Sequence, residues 1–291
     1  MPSLLDPALL LQTALSGILL GAVYALLAGG LNLIFGVMRI INVAHADLMM
    51  LGAYNTFWLF SLWGVNPLVG LLAGMPVLFA AGWGLQRFLV SRVVRSSELT
   101  SLLLTFGISI VLVNLALYVW TGDFRSVAYL SGSMVVGGMA LSKVRLLGFA
   151  VALAITIAVF LFLRWNPWGR AIRATSQHAD LALACGIDVD RVRLGTFGLA
   201  AALAGAAGSL MSMMYSIYPE MGAFFLLKAF AIIILGGRGS FPGAFIGAVI
   251  LGLIESFAAL WTTATHAEAA AYVMLILMLL LKPSGLLGEE E

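Results

Sequence analysis

Charge and cysteine are what this sequence is short of. Only 10% of its 291 residues are Asp, Glu, Lys or Arg, where a soluble domain carries about a quarter, so no soluble domain of ordinary size fits in it. Cys185 is the one cysteine, which excludes an intrachain disulfide and any cysteine-based metal cluster. The phosphate-gripping pattern GxxxxGK[ST] is missing, so any nucleotide hydrolysis must come from another polypeptide, and no cofactor of the chain's own is expected. A net charge of +2 gives no reason to expect a nucleic-acid partner. The start, MPSLLDPALLLQTALSG, lacks a basic n-region and runs into apolar sequence, which predicts a first membrane helix rather than a cleaved signal peptide.

What remains is hydrophobic: 62% of the residues, with a mean hydropathy of +1.08. The fold class expected is all-α, a polytopic helical bundle with hydrocarbon as solvent for much of its surface. A ruler of about 20 apolar residues per crossing divides the chain into spans at Leu9–Phe35, Ile40–Leu62, Leu68–Leu85, Leu99–Trp120, Leu146–Leu163 and Leu194–Tyr215. Ala223–Leu235, Phe241–Trp261 and Ala267–Leu281 follow, the first of them only thirteen residues long and therefore tilted, broken or re-entrant. Gly36 with Arg39, and Gly64 with Asn66 and Pro67, mark turns. Thr121–Arg145, with its run SMVVGG, reads as a surface excursion with little regular structure. The small-residue series AAALAGAAGS predicts close approach of a neighbouring helix.

Basic residues in short loops set the orientation. If the loop holding Arg87, Arg92 and Arg95 shares a face with the interval Arg164–Arg193, that face is cytoplasmic and collects eleven of the fifteen Lys and Arg. Arg125, Lys143 and Arg145 stay opposite. The count is then about eight or nine crossings, with the N-terminus outside and Lys282, Pro283 and an acidic tail inside.

Polar groups inside a span are costly and mark interiors or water-filled paths. Asn42, His45 and Asp47 qualify, as a path lining or hinge, or else as a helix start with Asn42 capping and Asp47 in the first turn. His45 and Asp47 do not make a metal site, since i and i+2 lie on different helix faces. GGRGSFPGAFIG holds Gly236, Gly237, Gly239, Gly243 and Gly247, which fits a sharp reversal between two touching helices. Glu255 lies deep in the next span. Lys228 pairs with Glu220 or Glu255 or snorkels to headgroups, and sequence does not choose. Tyr24, Tyr54, Tyr118, Tyr215, Trp120 and Trp261 mostly fall near span ends and read as interfacial aromatics.

The longest stretch unfit for a bilayer is RWNPWGRAIRATSQHADLALACGIDVDRVR, residues 164–193. Pro167 precedes a helix-competent run from Gly169 to Cys185 that Gly186 closes, with Ile172, Ala179 and Leu183 as an apolar stripe. Arg170 and Arg173 near its start oppose the helix dipole, which calls for a partner or a lipid phosphate. A docking helix and an interfacial helix lying in the headgroups are the two readings.

GLNLIFGVMRIINVAHADLMMLGAY, GRAIRATSQHADLALACGID and LKAFAIIILGGRGSFPGAFIGAVILGLIES together resemble the shorter permease subunit of branched-chain amino acid ABC importers, with urea and amide permeases as near relatives. The resemblance spans about Leu10 to Pro283. It implies one permease domain over residues 1–291, type II-like, in a bacterial inner membrane. Its expected partners are a second homologous permease, two cytoplasmic ATP-binding subunits that bind the ATP, an extracytoplasmic solute-binding protein and membrane lipid. It further implies that 164–193 is the coupling region, with Gly169, Arg170, Arg173 and Gly186 as landmarks. Asn42, His45, Asp47, Gly52, the five glycines of the reversal and Glu255 are then candidates for the translocation path or its hinge. The chain departs from the family's usual residues at Ala46, Ser176–His178 and Arg238. Urea or short amides are the alternative solutes. An ion-coupled transporter and a non-transporting scaffold are the rival classes.

Overall fold

The computed structural model describes residues 6–94, 96–282, 285 and 286; Arg95, Pro283, the first five residues and the acidic tail lie outside them. Four helices start the same way. Asp6, Asn66, Asn166 and Ser240 each accept a hydrogen bond from the first turn through the side chain, and a proline stands at the first or second helical position. Proline loses nothing there, because the first-turn N–H groups have no intrahelical partner.

The order is α1 (Pro7–Met38), α2 (His45–Trp63), α3 (Pro67–Phe88), α4 (Glu98–Trp120), β1 (Ser133–Val136), β2 (Met139–Ser142), α5 (Lys143–Trp165), α6 (Pro167–Gln177), α7 (Ala179–Ala184), α8 (Val189–Met211), α9 (Met221–Gly236), α10 (Phe241–Trp261) and α11 (Ala264–Leu281). Among the described residues six helices are long and apolar enough to cross a membrane: α1, α3 with the turn after it, α4, α5, α8 and α10. Met221–Gly236 and His266–Leu281 are apolar but shorter.

α1, α2 and α8 make the core; most of α1 and α8 is buried on all sides. Such burial needs small residues where backbones cross. A β-carbon on Gly208 of α8 would overlap the Met49 carbonyl of α2, and one on Gly21 of α1 would stand 2.7 Å from Ala248 O and Val249 Cα of α10. α4 stands at the rim and turns Leu103, Phe106, Val111 and Tyr118 outward, a face suited to lipid or to another membrane chain.

Four expectations need correction. The excursion 121–145 contains an antiparallel hairpin in the register Ser133↔Ser142 to Val136↔Met139. Gly137 and Gly138 turn it with φ 59° and 82°, the positive angles a two-residue hairpin demands. The second helix starts at His45 rather than Ile40, and its cap is Ala44, not Asn42. The run Gly169–Cys185 is two helices, broken at His178, which has extended φ and ψ of −147° and 100°. The buried face there is Gly169, Ile172, Thr175 and Ala182, while Leu183 is exposed, because the break rotates α7 relative to α6.

Candidate functional site

α1 ends on Arg39, a non-glycine residue in the left-handed region with φ 53°. The chain then turns back. Thr105 of α4 holds this return segment from the side, its hydroxyl donating to Ile41 O at 3.0 Å and accepting from Val43 N at 3.2 Å. Next, His45 Nε2–H donates to Leu27 O at 3.0 Å. At 1.5 Å per residue Leu27 sits about 16 Å short of the end of α1, so α2 begins inside the bundle. α9 begins beside it: a β-carbon on Gly222 would overlap Asp47 Oδ1. Asn42, His45 and Asp47 are 0%, 0% and 2% exposed. Both polar atoms of Asn42, His45 Nδ1 and Asp47 Oδ2 have no hydrogen-bond partner. Unpaired polar atoms in an interior are costly, and they give this junction donors and acceptors for water or a polar solute.

A second polar group lies where α1, α9 and α10 meet. Lys228 Nζ donates to Glu255 Oε1 at 2.5 Å and to the Tyr24 hydroxyl at 3.0 Å, and that hydroxyl donates to Glu255 Oε2 at 3.0 Å. The ammonium also lies 4.2 Å from the Phe224 ring centroid, within cation–π range. Three residues on three helices thus close a ring of hydrogen bonds around a buried ion pair.

The reversal between α9 and α10 is locked by one side chain of α1. Asn32 Nδ2 donates to Gly237 O at 3.3 Å and Ser240 O at 2.8 Å, and Asn32 Oδ1 accepts from Gly239 N at 2.7 Å. Gly237 and Gly239 have φ 103° and 78°, which the turn needs. Gly236 and Gly243 touch backbone to backbone, and a β-carbon on Gly247 would lie 2.6 Å from Ile232 O. Gly52 meets Gly205 in the same manner across α2 and α8.

On the basic face α6 folds back on α5. A β-carbon on Gly169 would overlap Phe162 O, so this elbow closes only on glycine. Arg170 and Arg173 are exposed, and Arg173 donates to Arg164 O at 3.3 Å. Gly186, φ 81°, follows the end of α7.

The candidates therefore fall into separate places. Asn42 lies in the segment before α2 and His45, Asp47 and Gly52 along α2, the five glycines in the α9–α10 reversal, and Gly169 to Gly186 on the basic face. Glu255 is tied into the ion pair. Sequence reading passed over Tyr24 as an interfacial aromatic, although it is 1% exposed and bonds both charges. Tyr54 is also internal, stacked on Trp120 at 4.1 Å. Asn32 and Thr105 were missed as clamps; a polar residue inside a long apolar run was the available signal for both.

Apolar helices at the rim, a buried polar junction at which two helices start, and an exposed basic elbow define a polytopic helical membrane protein. The family model described as "Branched-chain amino acid transport system / permease component" matches residues 13–282. LivH of Escherichia coli, a high-affinity branched-chain amino acid transport system permease protein, is 31% identical over 97% of this chain and 96% of its own. LivM of Salmonella typhimurium, a permease protein of the system with the same title, is 25% identical over 91% of this chain and 68% of its own. Among solved structures, PsaBC of Streptococcus pneumoniae is similar with a TM-score of 0.51 and 12% identity, over 93% of this chain and 92% of that one; that likeness shows the fold alone. The chain belongs to the branched-chain amino acid transport permease family. It is a multi-pass inner-membrane permease subunit of a branched-chain amino-acid ABC importer, a transport subunit rather than an enzyme. Family membership implies a second permease beside it.

Proposed function

We propose that this chain works by alternating access, as half of a permease pair whose two cytoplasmic ATP-binding subunits grip residues 164–193. An extracytoplasmic solute-binding protein delivers a branched-chain amino acid, and the solute passes between this chain and its homologous partner. α2, α9 and α11 complete the six long helices to nine crossings, or eight if α9 does not cross. The observation that carries the reading is the elbow at Gly169. It joins a short exposed helix bearing Arg170 and Arg173 rigidly to the membrane helix α5, so a push on α6 moves α5. Asn42, His45 and Asp47, with atoms left unpaired, suit transient contacts to a zwitterion as the helices move.

Two measurements test this. Radiolabelled uptake in a strain lacking the chain, complemented with it, should favour leucine-like solutes over urea and short amides; a preference for urea or amides moves the solute assignment. Arg170→Ala with Arg173→Ala should leave insertion intact while reducing copurification of the ATP-binding subunits. Unchanged copurification with unchanged uptake removes the coupling role of 164–193.

A further inference from the structure

Behind α6 lies a cavity of ≈ 470 Å³ between the ends of α1 and α5, α6 itself and the start of α10. Leu33, Phe160, Leu163 and Ile172 give it a largely apolar wall, Ser176 and Ser240 add hydroxyls, and Arg164 and Arg173, both exposed, line its rim. The polar groups of Asn32, which also line it, are consumed by the α9–α10 turn. Phe160 of α5 is 38% exposed where it lines the cavity, so the site is open rather than sealed.

The charge balance at the rim is incomplete. Arg173 donates to the carbonyl of Arg164 at 3.3 Å, which brings two cationic residues together. Among the described residues no acidic side chain lines the cavity, and the ion pairs within the chain involve other residues. Two guanidinium groups over an apolar wall fit a phosphate whose substituents are apolar: the phosphate takes charge-assisted bonds at the rim and the chains follow the wall.

We propose that this cavity binds the phosphodiester headgroup of an anionic lipid from the cytoplasmic leaflet, bridging Arg164 of α5 and Arg173 of α6. The lipid then braces the elbow through which the ATP-binding subunits act, so the proposal rests on the orientation given above but not on the identity of the solute.

The test is lipid retention by the full-length chain in nanodiscs, read by native mass spectrometry with phosphatidylglycerol or phosphatidylcholine. Phosphatidylglycerol should be held preferentially. Arg164→Gln with Arg173→Gln should lower its retention by about tenfold or more, since each arginine beside an anionic lipid strengthens binding roughly fivefold. Arg164→Lys should restore part of the loss of Arg164→Gln, and Arg92→Gln, elsewhere on the same face, should change nothing. Excess inorganic phosphate, having no acyl chains, should not displace the lipid. Equal retention by the double variant, equal retention of phosphatidylcholine, or displacement by inorganic phosphate each overturns the proposal. So does capture of the cavity by an ATP-binding subunit, seen as lipid release on its addition. Arg170→Ala, in the coupling interval but not lining the cavity, should weaken copurification of that subunit and leave lipid retention unchanged, which separates a failure here from a failure of the coupling reading.

Discussion

Lys228 and Glu255, on neighbouring helices, meet at 2.5 Å with side-chain exposures of 2% and 12%. The pair is held by the Tyr24 hydroxyl of a third helix. Removing one member strands a charge in the interior, which costs about 3–5 kcal/mol, while replacing both by apolar residues of similar size is nearly neutral. Lys228→Met is therefore expected to melt early in detergent, and Lys228→Met with Glu255→Leu to recover most of the loss. A double variant as unstable as the two singles combined would show that the two charges act independently.

The crossing of α2 and α8 has no room for a side chain at Gly208. Gly208→Leu forces the helices apart and should cost about 1–3 kcal/mol or more, visible as lower yield and faster aggregation of the purified chain. Gly84→Ala is the matched control: nothing stands within 4 Å of its β-carbon position, and alanine gains up to about 1 kcal/mol of helix propensity.

Asn32 makes three hydrogen bonds to the backbone of 237–240. Asn32→Leu keeps the volume and leaves those groups unpaired, at roughly 1–3 kcal/mol for a buried group. The turn should loosen, and amide hydrogen exchange at 237–240 should rise while exchange in α8 stays slow. Slow exchange throughout would mean that the glycines alone set the turn.

Cys185 is exposed and is the chain's one cysteine, so it reports on orientation without engineering. An impermeant maleimide should label it in inside-out vesicles and leave it untouched in right-side-out ones. The opposite pattern inverts the assignment of the basic face.

The helices were legible because a run of some twenty apolar residues has few other fates. The two ends of the return segment were not equally so. Arg39 announced a turn, but Ile40, Ile41, Val43 and Ala44 are as apolar as a helix interior, and hydropathy cannot tell an irregular inward-facing segment from a helical one. The hairpin was readable: the strand-prone run Met134, Val135, Val136 followed by paired glycines is a turn signal that the surrounding irregular sequence masked. The break at His178 has no glycine or proline to announce it. Among the site residues, Asn42, His45, Asp47 and Glu255 stood out as polar groups in apolar runs. Lys228 stood out equally, yet its partner lies one helix further on and Tyr24 far earlier in the chain, and pairing across such separations is set by packing rather than by pattern.

The fit of α1 against α10 reaches across nearly the whole polypeptide, Gly21 meeting Ala248 and Val249. During synthesis the first helix therefore waits, its narrow glycine groove vacant, until the tenth leaves the ribosome. A chain truncated before Phe241 leaves that groove open, and it should be less stable in the membrane than the full chain.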